Sequence, residues 1–135
     1  MKKFFSTKYS DTSFALATLV LRLTFGVLML PYGYNKLVYF SSKSSTFSDP
    51  FHIGHTPSLA LVVFAEFFCA VLVILGLLTR LACIPLIITM AVAVFYANHG
   101  KIFDGGQTAA LFLGGFIAIL LVGPGKISAD RLIGK

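Results

Sequence analysis

Charge is what this chain has least of. Only 12% of its 135 residues are charged and five are acidic, whereas a soluble domain carries about a quarter charged residues. That scarcity excludes water as the main solvent of the folded surface, because one small domain cannot hide a composition that is 57% hydrophobic inside a single core. The surplus must face lipid. Cysteine is scarce too. Cys69 and Cys83 both sit within apolar runs and form no C-x-x-C pattern, so they read as small buried hydrophobes and not as a redox motif. Also missing are a phosphate-binding glycine loop, a nucleophile triad and a paired-carboxylate signature.

What charge there is has a pattern. The net charge of +6 would raise nucleic-acid binding in a soluble protein, but no basic stripe interleaved with aromatics exists to carry it, and no nucleic-acid partner is expected. Lys2, Lys3 and Lys8 precede the first apolar run, and Lys126, Arg131 and Lys135 follow the last. Cations placed so are the mark of cytoplasmic ends in a membrane protein. The partner expected first is a lipid bilayer.

Four apolar runs fill the space between. Residues 14–39 measure 26 residues, roughly 39 Å of helix against a hydrocarbon core of about 30 Å, so this run is too long for a signal-peptide core and no A-x-A site closes it. Pro31 within it removes the hydrogen bond to the Val27 carbonyl, which predicts a bend. The remaining spans fall at about 58–78, 81–97 and 107–122, the second and third separated only by Thr79-Arg80. The fold class expected is all-α: an integral membrane four-helix bundle over residues 1–135 as one transmembrane domain. Gly123-Pro124-Gly125 ends the last span. Residues 123–135 then form a short cytoplasmic tail in which Ser128 and Asp130 cap a brief helix presenting Leu132 and Ile133 to the membrane surface. For orientation, Lys2, Lys3, Lys8, Arg80, Lys126, Arg131 and Lys135 fall on one side, and Lys36, Lys43 and Lys101 on the other. Seven against three puts both termini inside and the loops around Ser45 and His99 outside.

Two ionisable residues lie deep within spans, where each costs about 2.5–3.5 kcal/mol on insertion scales. Counted from the inner boundary, Arg22 stands roughly 12 Å up and Glu66 roughly 18 Å up, a gap that a guanidinium stem bridges. Lys36, roughly 33 Å up, can snorkel to the outer surface. The expected partner of Glu66 is therefore Arg22, with Lys36 reaching it only through a bend at Pro31. At 100° per residue Arg22, Gly26, Met29, Gly33 and Lys36 share an arc of about 80°, so the face carrying both charges also carries Gly26 and Gly33, which admit a neighbouring backbone. Ala110, Gly114 and Ala118 repeat the small-residue spacing in the fourth span. Tyr96, Asn98 and His99 gather near one outer rim as ligand-binding candidates, although tyrosines there also fit an interfacial aromatic belt. His52 and His55 form an H-x-x-H, yet no cysteine or carboxylate stands at helical ligand spacing, so no metal site is expected.

In order along the chain, these features resemble the DoxX family of small four-span bacterial membrane proteins. The residues that carry the resemblance are Arg22 with Gly26, Gly33 with Lys36, Glu66, Gly76-Leu77-Leu78-Thr79-Arg80, and Gly123 to Asp130. It runs from about Leu16 to Leu132. Where the family pattern often opens the fourth helix with an acid, this sequence has Gln107, which joins the ligand candidates. The resemblance implies a bacterial cytoplasmic (inner) membrane protein, multi-pass, that works with partners in sulfur, thiol or oxidative-stress redox chemistry, including electron transfer to quinone.

The function expected is therefore a subunit or accessory protein, not a self-sufficient enzyme. It would bind a quinone or a redox-enzyme partner near Arg22, Lys36, Glu66 and His99, since quinone carbonyls need donors at the edge of an apolar pocket. Quinone is the cofactor this reading implies. Two other classes compete: a proton-coupled permease in which Glu66 titrates, which with four spans would need a homo-oligomer, and a scaffold that only assembles a partner complex.

Overall fold

A computed structural model describes residues 6–8, 10–43, 52–97 and 102–134. Among them the regular structure is helical throughout. Helix α1 spans Asp11–Val38. Ser10 caps it by accepting from the Ser13 N–H at 3.0 Å, and Asp11 places an acid in the first turn, where the helix dipole favours it. The helix runs on through Pro31; one lost hydrogen bond within a lipid-facing helix does not end it. After the single turn α2, Phe40–Lys43, helix α3 covers His55–Leu75. Its middle, Phe64–Cys69, is wound as a π-helix.

The α3 terminus follows directly from Gly76. With φ of 72° this residue takes the left-handed conformation that suits glycine. The Leu77 N–H then reaches back to the Leu72 carbonyl at 2.9 Å and the Gly76 N–H to Val73 at 3.1 Å, the paired bonds of a Schellman ending. Helix α4, Thr79–Val92, starts two residues later and continues as a π turn, Ala93–Ala97. The break between these spans is therefore Gly76-Leu77-Leu78, three residues earlier than the apolar runs suggested, because a glycine ends a helix and Thr79-Arg80 can begin one. A second π turn, Ile102–Gly106, leads into α5, Gln107–Val122. The short α6, Ala129–Gly134, closes the chain.

Helices α1, α3, α4 and α5 pack in a ring, α1 touching both α3 and α5, and α4 lying between α3 and α5. Three of them are long and apolar enough to cross a membrane, and α5 is a shorter apolar helix of 16 residues, roughly 24 Å. The core gathers Met29, Val73, Cys83, Leu86, Met90, Phe116 and Ile119. Phe25 fills the gap to α5, edge-on to Phe112 at 6.0 Å and lying where a side chain on Gly115 would have to go. Outward faces are equally apolar, with Val20, Leu28, Leu61, Leu81, Leu111 and Leu121 all exposed. A surface of that kind has lipid as its solvent.

Candidate functional site

Five polar or charged side chains are buried among the described residues: Thr18, Arg22, Ser58, Glu66 and Thr79. Arg22 and Glu66 bring the charge, and the structure partners them differently from the expectation. Glu66 is not met by Arg22. Lys36 takes it, Nζ to Oε1 at 2.5 Å, with the carboxylate side chain 4% exposed and the lysine 23%. Setting the inner ends of both spans at one height misled: Gly33 packs on Glu66 and Arg22 reaches the last turn of α3, so α1 starts well below the end of α3 and Lys36 stands about one turn above Glu66. A lysine side chain reaches back toward the amino end of its helix.

The helix carrying Glu66 is shaped for this contact. Glu66 lies within the π segment, a widened turn that recurs at functional positions of helices. Gly33, one turn before Lys36, sits directly on it: a Cβ there would stand 2.6 Å from the Glu66 carbonyl carbon and 2.7 Å from the Phe67 nitrogen. Backbone meets backbone, which only glycine permits. Gly26 makes a softer contact, chiefly with the Ile74 side chain. Next to Glu66 in the chain, Phe67 packs against Tyr34 of α1 at 6.4 Å and edge-on to Phe68 at 5.3 Å.

Arg22 is used elsewhere. Nε donates to the Val73 carbonyl at 3.1 Å and one terminal nitrogen to Ile74 at 3.1 Å, while the other donates to Pro124 at 2.8 Å and Ile127 at 2.5 Å. Val73 already accepts from the Gly76 N–H, but the Ile74 carbonyl lies in the last turn, where carbonyls lack intrahelical donors and form the negative dipole end, so a cation there answers both needs. The same guanidinium pins the segment after α5 beneath them. Asp130 completes this latch. Its two carboxylate oxygens accept from the Leu78 N–H at 2.7 Å and the Thr79 N–H at 2.9 Å, and its own N–H donates to the Gly76 carbonyl at 2.8 Å. Leu78 has no side-chain acceptor with which to cap α4, so the cap comes from 52 residues away. Partial burial works to raise the Asp130 pKa, but the Thr79 and Leu78 N–H groups, the nearby Thr79 hydroxyl and the Arg22 charge outweigh it and hold the carboxyl below its ordinary value. The Thr79 hydroxyl makes no hydrogen bond of good geometry, so the two backbone donors are the better-founded cause.

The latch was not foreseen. Its signal was the absence of any Ser, Thr, Asp or Asn just before Thr79, which leaves the start of α4 without a local cap. Ser128 accepts from the Arg131 N–H at 3.2 Å and so caps α6, on which Leu132 and Ile133 are exposed. Among the described residues, neither Tyr96 nor Gln107 hydrogen-bonds to the Lys36–Glu66 pair. Tyr96 is half exposed and Gln107 is exposed at the first position of α5; Asn98 and His99 lie outside the described residues. Ala110 and Ala118 are partly buried, whereas Gly114 faces outward with nothing within 4 Å of where a Cβ would stand. His52 and His55 are exposed, and among the described residues no three His, Cys, Asp or Glu side chains form a metal-ligand group.

An apolar helical ring with a carboxylate–ammonium pair inside its spans and an arginine sealing one end defines a small multi-pass membrane protein. The chain belongs to the DoxX family, whose model matches residues 17–99, the stretch that contains Arg22, Gly33, Lys36, Glu66 and Gly76 to Arg80. An uncharacterized membrane protein of Mycobacterium tuberculosis is 30% identical over 134 residues, covering 88% of this chain and 82% of its own length. No solved structure matches the chain.

Proposed function

We propose that this DoxX-family protein is an accessory subunit of a redox assembly in a bacterial cytoplasmic membrane, with both termini inside, and that it binds a lipid-soluble quinone or its redox partner beside Lys36 and Glu66. The observation that carries this reading is the partial exposure of Lys36. A fully enclosed ion pair serves only register. Here the ammonium gives one of its three donors to Glu66, and 23% of the side chain stays open. Arg22 is left out of the ligand set, since its donors are committed to carbonyls.

The test is extraction of the protein in mild detergent, with mass spectrometry of its bound lipids and proximity crosslinking in cells. A retained quinone that is lost on Lys36→Met, or a crosslinked redox enzyme, is the expected result. Protein that retains no quinone and crosslinks to no redox enzyme would defeat the proposal.

A further inference from the structure

A second, separate feature lies at the end of the bundle closed by Arg22. A cavity of about 250 Å³ opens between the first turns of α1 and the segment after α5, lined by Asp11, Thr12, Ala15, Leu16, Lys126 and Ile127. Two opposite charges line it. Lys126 Nζ stands 3.4 Å from Asp11 Oδ2, with the side chains 56% and 85% exposed. That distance is long for a charge-assisted hydrogen bond, and an exposed pair of this kind holds weakly, so it opens at little cost. Of the rest of the lining Thr12 is polar, and Ala15, Leu16 and Ile127 are apolar.

The cavity sits where α1 begins and α5 has just ended, at the edge of the hydrocarbon layer, the level occupied by phospholipid headgroups. We infer that it is a headgroup site for a zwitterionic, amine-headed phospholipid. The phosphate takes Asp11's place on Lys126, the primary ammonium takes Lys126's place on Asp11, and the glycerol end runs out over Ala15, Leu16 and Ile127. Charge selects this class. A purely anionic headgroup gains Lys126 but meets Asp11 as a like charge, whereas a zwitterion satisfies both side chains. A choline head offers no N–H to the carboxylate. Size agrees, since about 250 Å³ falls below the roughly 300–1,000 Å³ of pockets that enclose a whole drug-sized ligand and suits a headgroup with its tails outside. Leu16 and Ile127, 51% and 47% exposed, continue the apolar lining to the lipid-facing surface. Nothing in this inference depends on what binds at Lys36.

The test uses the full chain in nanodiscs containing equal parts of phosphatidylethanolamine, phosphatidylcholine and phosphatidylglycerol, with native mass spectrometry of the lipids retained after gentle release. The wild type is expected to retain phosphatidylethanolamine in about fivefold excess over each of the other two lipids, the scale of one exposed charge contact. Asp11→Asn should move the preference to phosphatidylglycerol, and Lys126→Gln should lower retention of both phosphatidylethanolamine and phosphatidylglycerol. Because both residues are exposed, circular dichroism and melting temperature should stay at wild-type values. Free phosphoethanolamine in excess should leave the lipid bound; displacement by it would reassign the cavity to a soluble amine phosphate. Retention in bulk proportions, or one ratio shared by all three proteins, would overturn the inference.

Discussion

Lys36 and Arg22 lie on one face of one helix, and each must offset the loss of water around a cation. They do so in opposite ways. Lys36 neutralises its charge against Glu66, so the two together bring no net charge into the bundle. Arg22 keeps its charge and spreads it over four carbonyl oxygens, a solution open to a planar fork with five donors and closed to an ammonium. Arg22→Lys should therefore release the segment after Gly123, with faster hydrogen exchange across 123–134 and little change in the core of α4. An unaltered exchange pattern there would deny the latch. For the pair, Lys36→Met takes the cation away from a buried carboxylate, and breaking such a pair costs about 3–5 kcal/mol, an upper bound here because Lys36 is partly exposed. Lys36→Met combined with Glu66→Gln should recover most of that loss in a double-mutant cycle of thermal stability in detergent. Additive losses would mean that the two side chains do not act as a pair.

At the scale of elements, α3 is where the local sequence and the observed geometry part company. Ser58 to Leu78 reads as one apolar run, and nothing in its composition marks Phe64–Cys69 as π-wound. What marks the segment is tertiary: Gly33 of α1 rests on the Glu66 peptide within this widened turn, one turn from Lys36. The glycine–lysine spacing on α1 was legible, while its consequence on α3 was not. Gly33→Ala puts a methyl into main chain that cannot rotate aside, and overpacking of this kind costs about 1–3 kcal/mol. The expected result is a lowered melting temperature and a disturbed Lys36–Glu66 contact. Gly26→Ala should cost less, since it meets chiefly the Ile74 side chain.

The Asp130 latch couples α6 to α4 and carries a sign in pH. Its carboxyl is held below the ordinary value, so it binds its proton less readily folded than unfolded. The stabilisation is complete above the unfolded pKa of about 3.9 and is lost as pH falls through the lower native value. Stability of the latch should be flat near neutrality and decline in acid, read as protease sensitivity of the segment after Val122. Asp130→Ala should abolish that acid dependence and cost roughly 0.5–2 kcal/mol at neutral pH, the range for a lost helix cap. Sequence pattern assigned Asp130 to its own short helix because capping is usually local; a cap supplied from 52 residues away has no local signature.

For the molecule as a whole, four helices were legible because lipid imposes a requirement that can be counted: enough apolar residues in a row to cross it. That requirement says nothing about which side is which. Orientation rests on the unequal sharing of Lys and Arg, and the fold adds a means of testing it. Cys69 and Cys83 are both buried, 2% and 0% exposed, so the native thiols are shielded from a membrane-impermeant maleimide and a single added cysteine reports alone. In intact cells His52→Cys, beside the loop assigned to the outside, should label at once. Ser6→Cys, ahead of α1, should label only after the membrane is opened. The opposite pattern would leave the ring of helices, the Lys36–Glu66 pair and the Arg22 latch as they are, but it would turn the face proposed to meet a redox partner to the other side of the membrane.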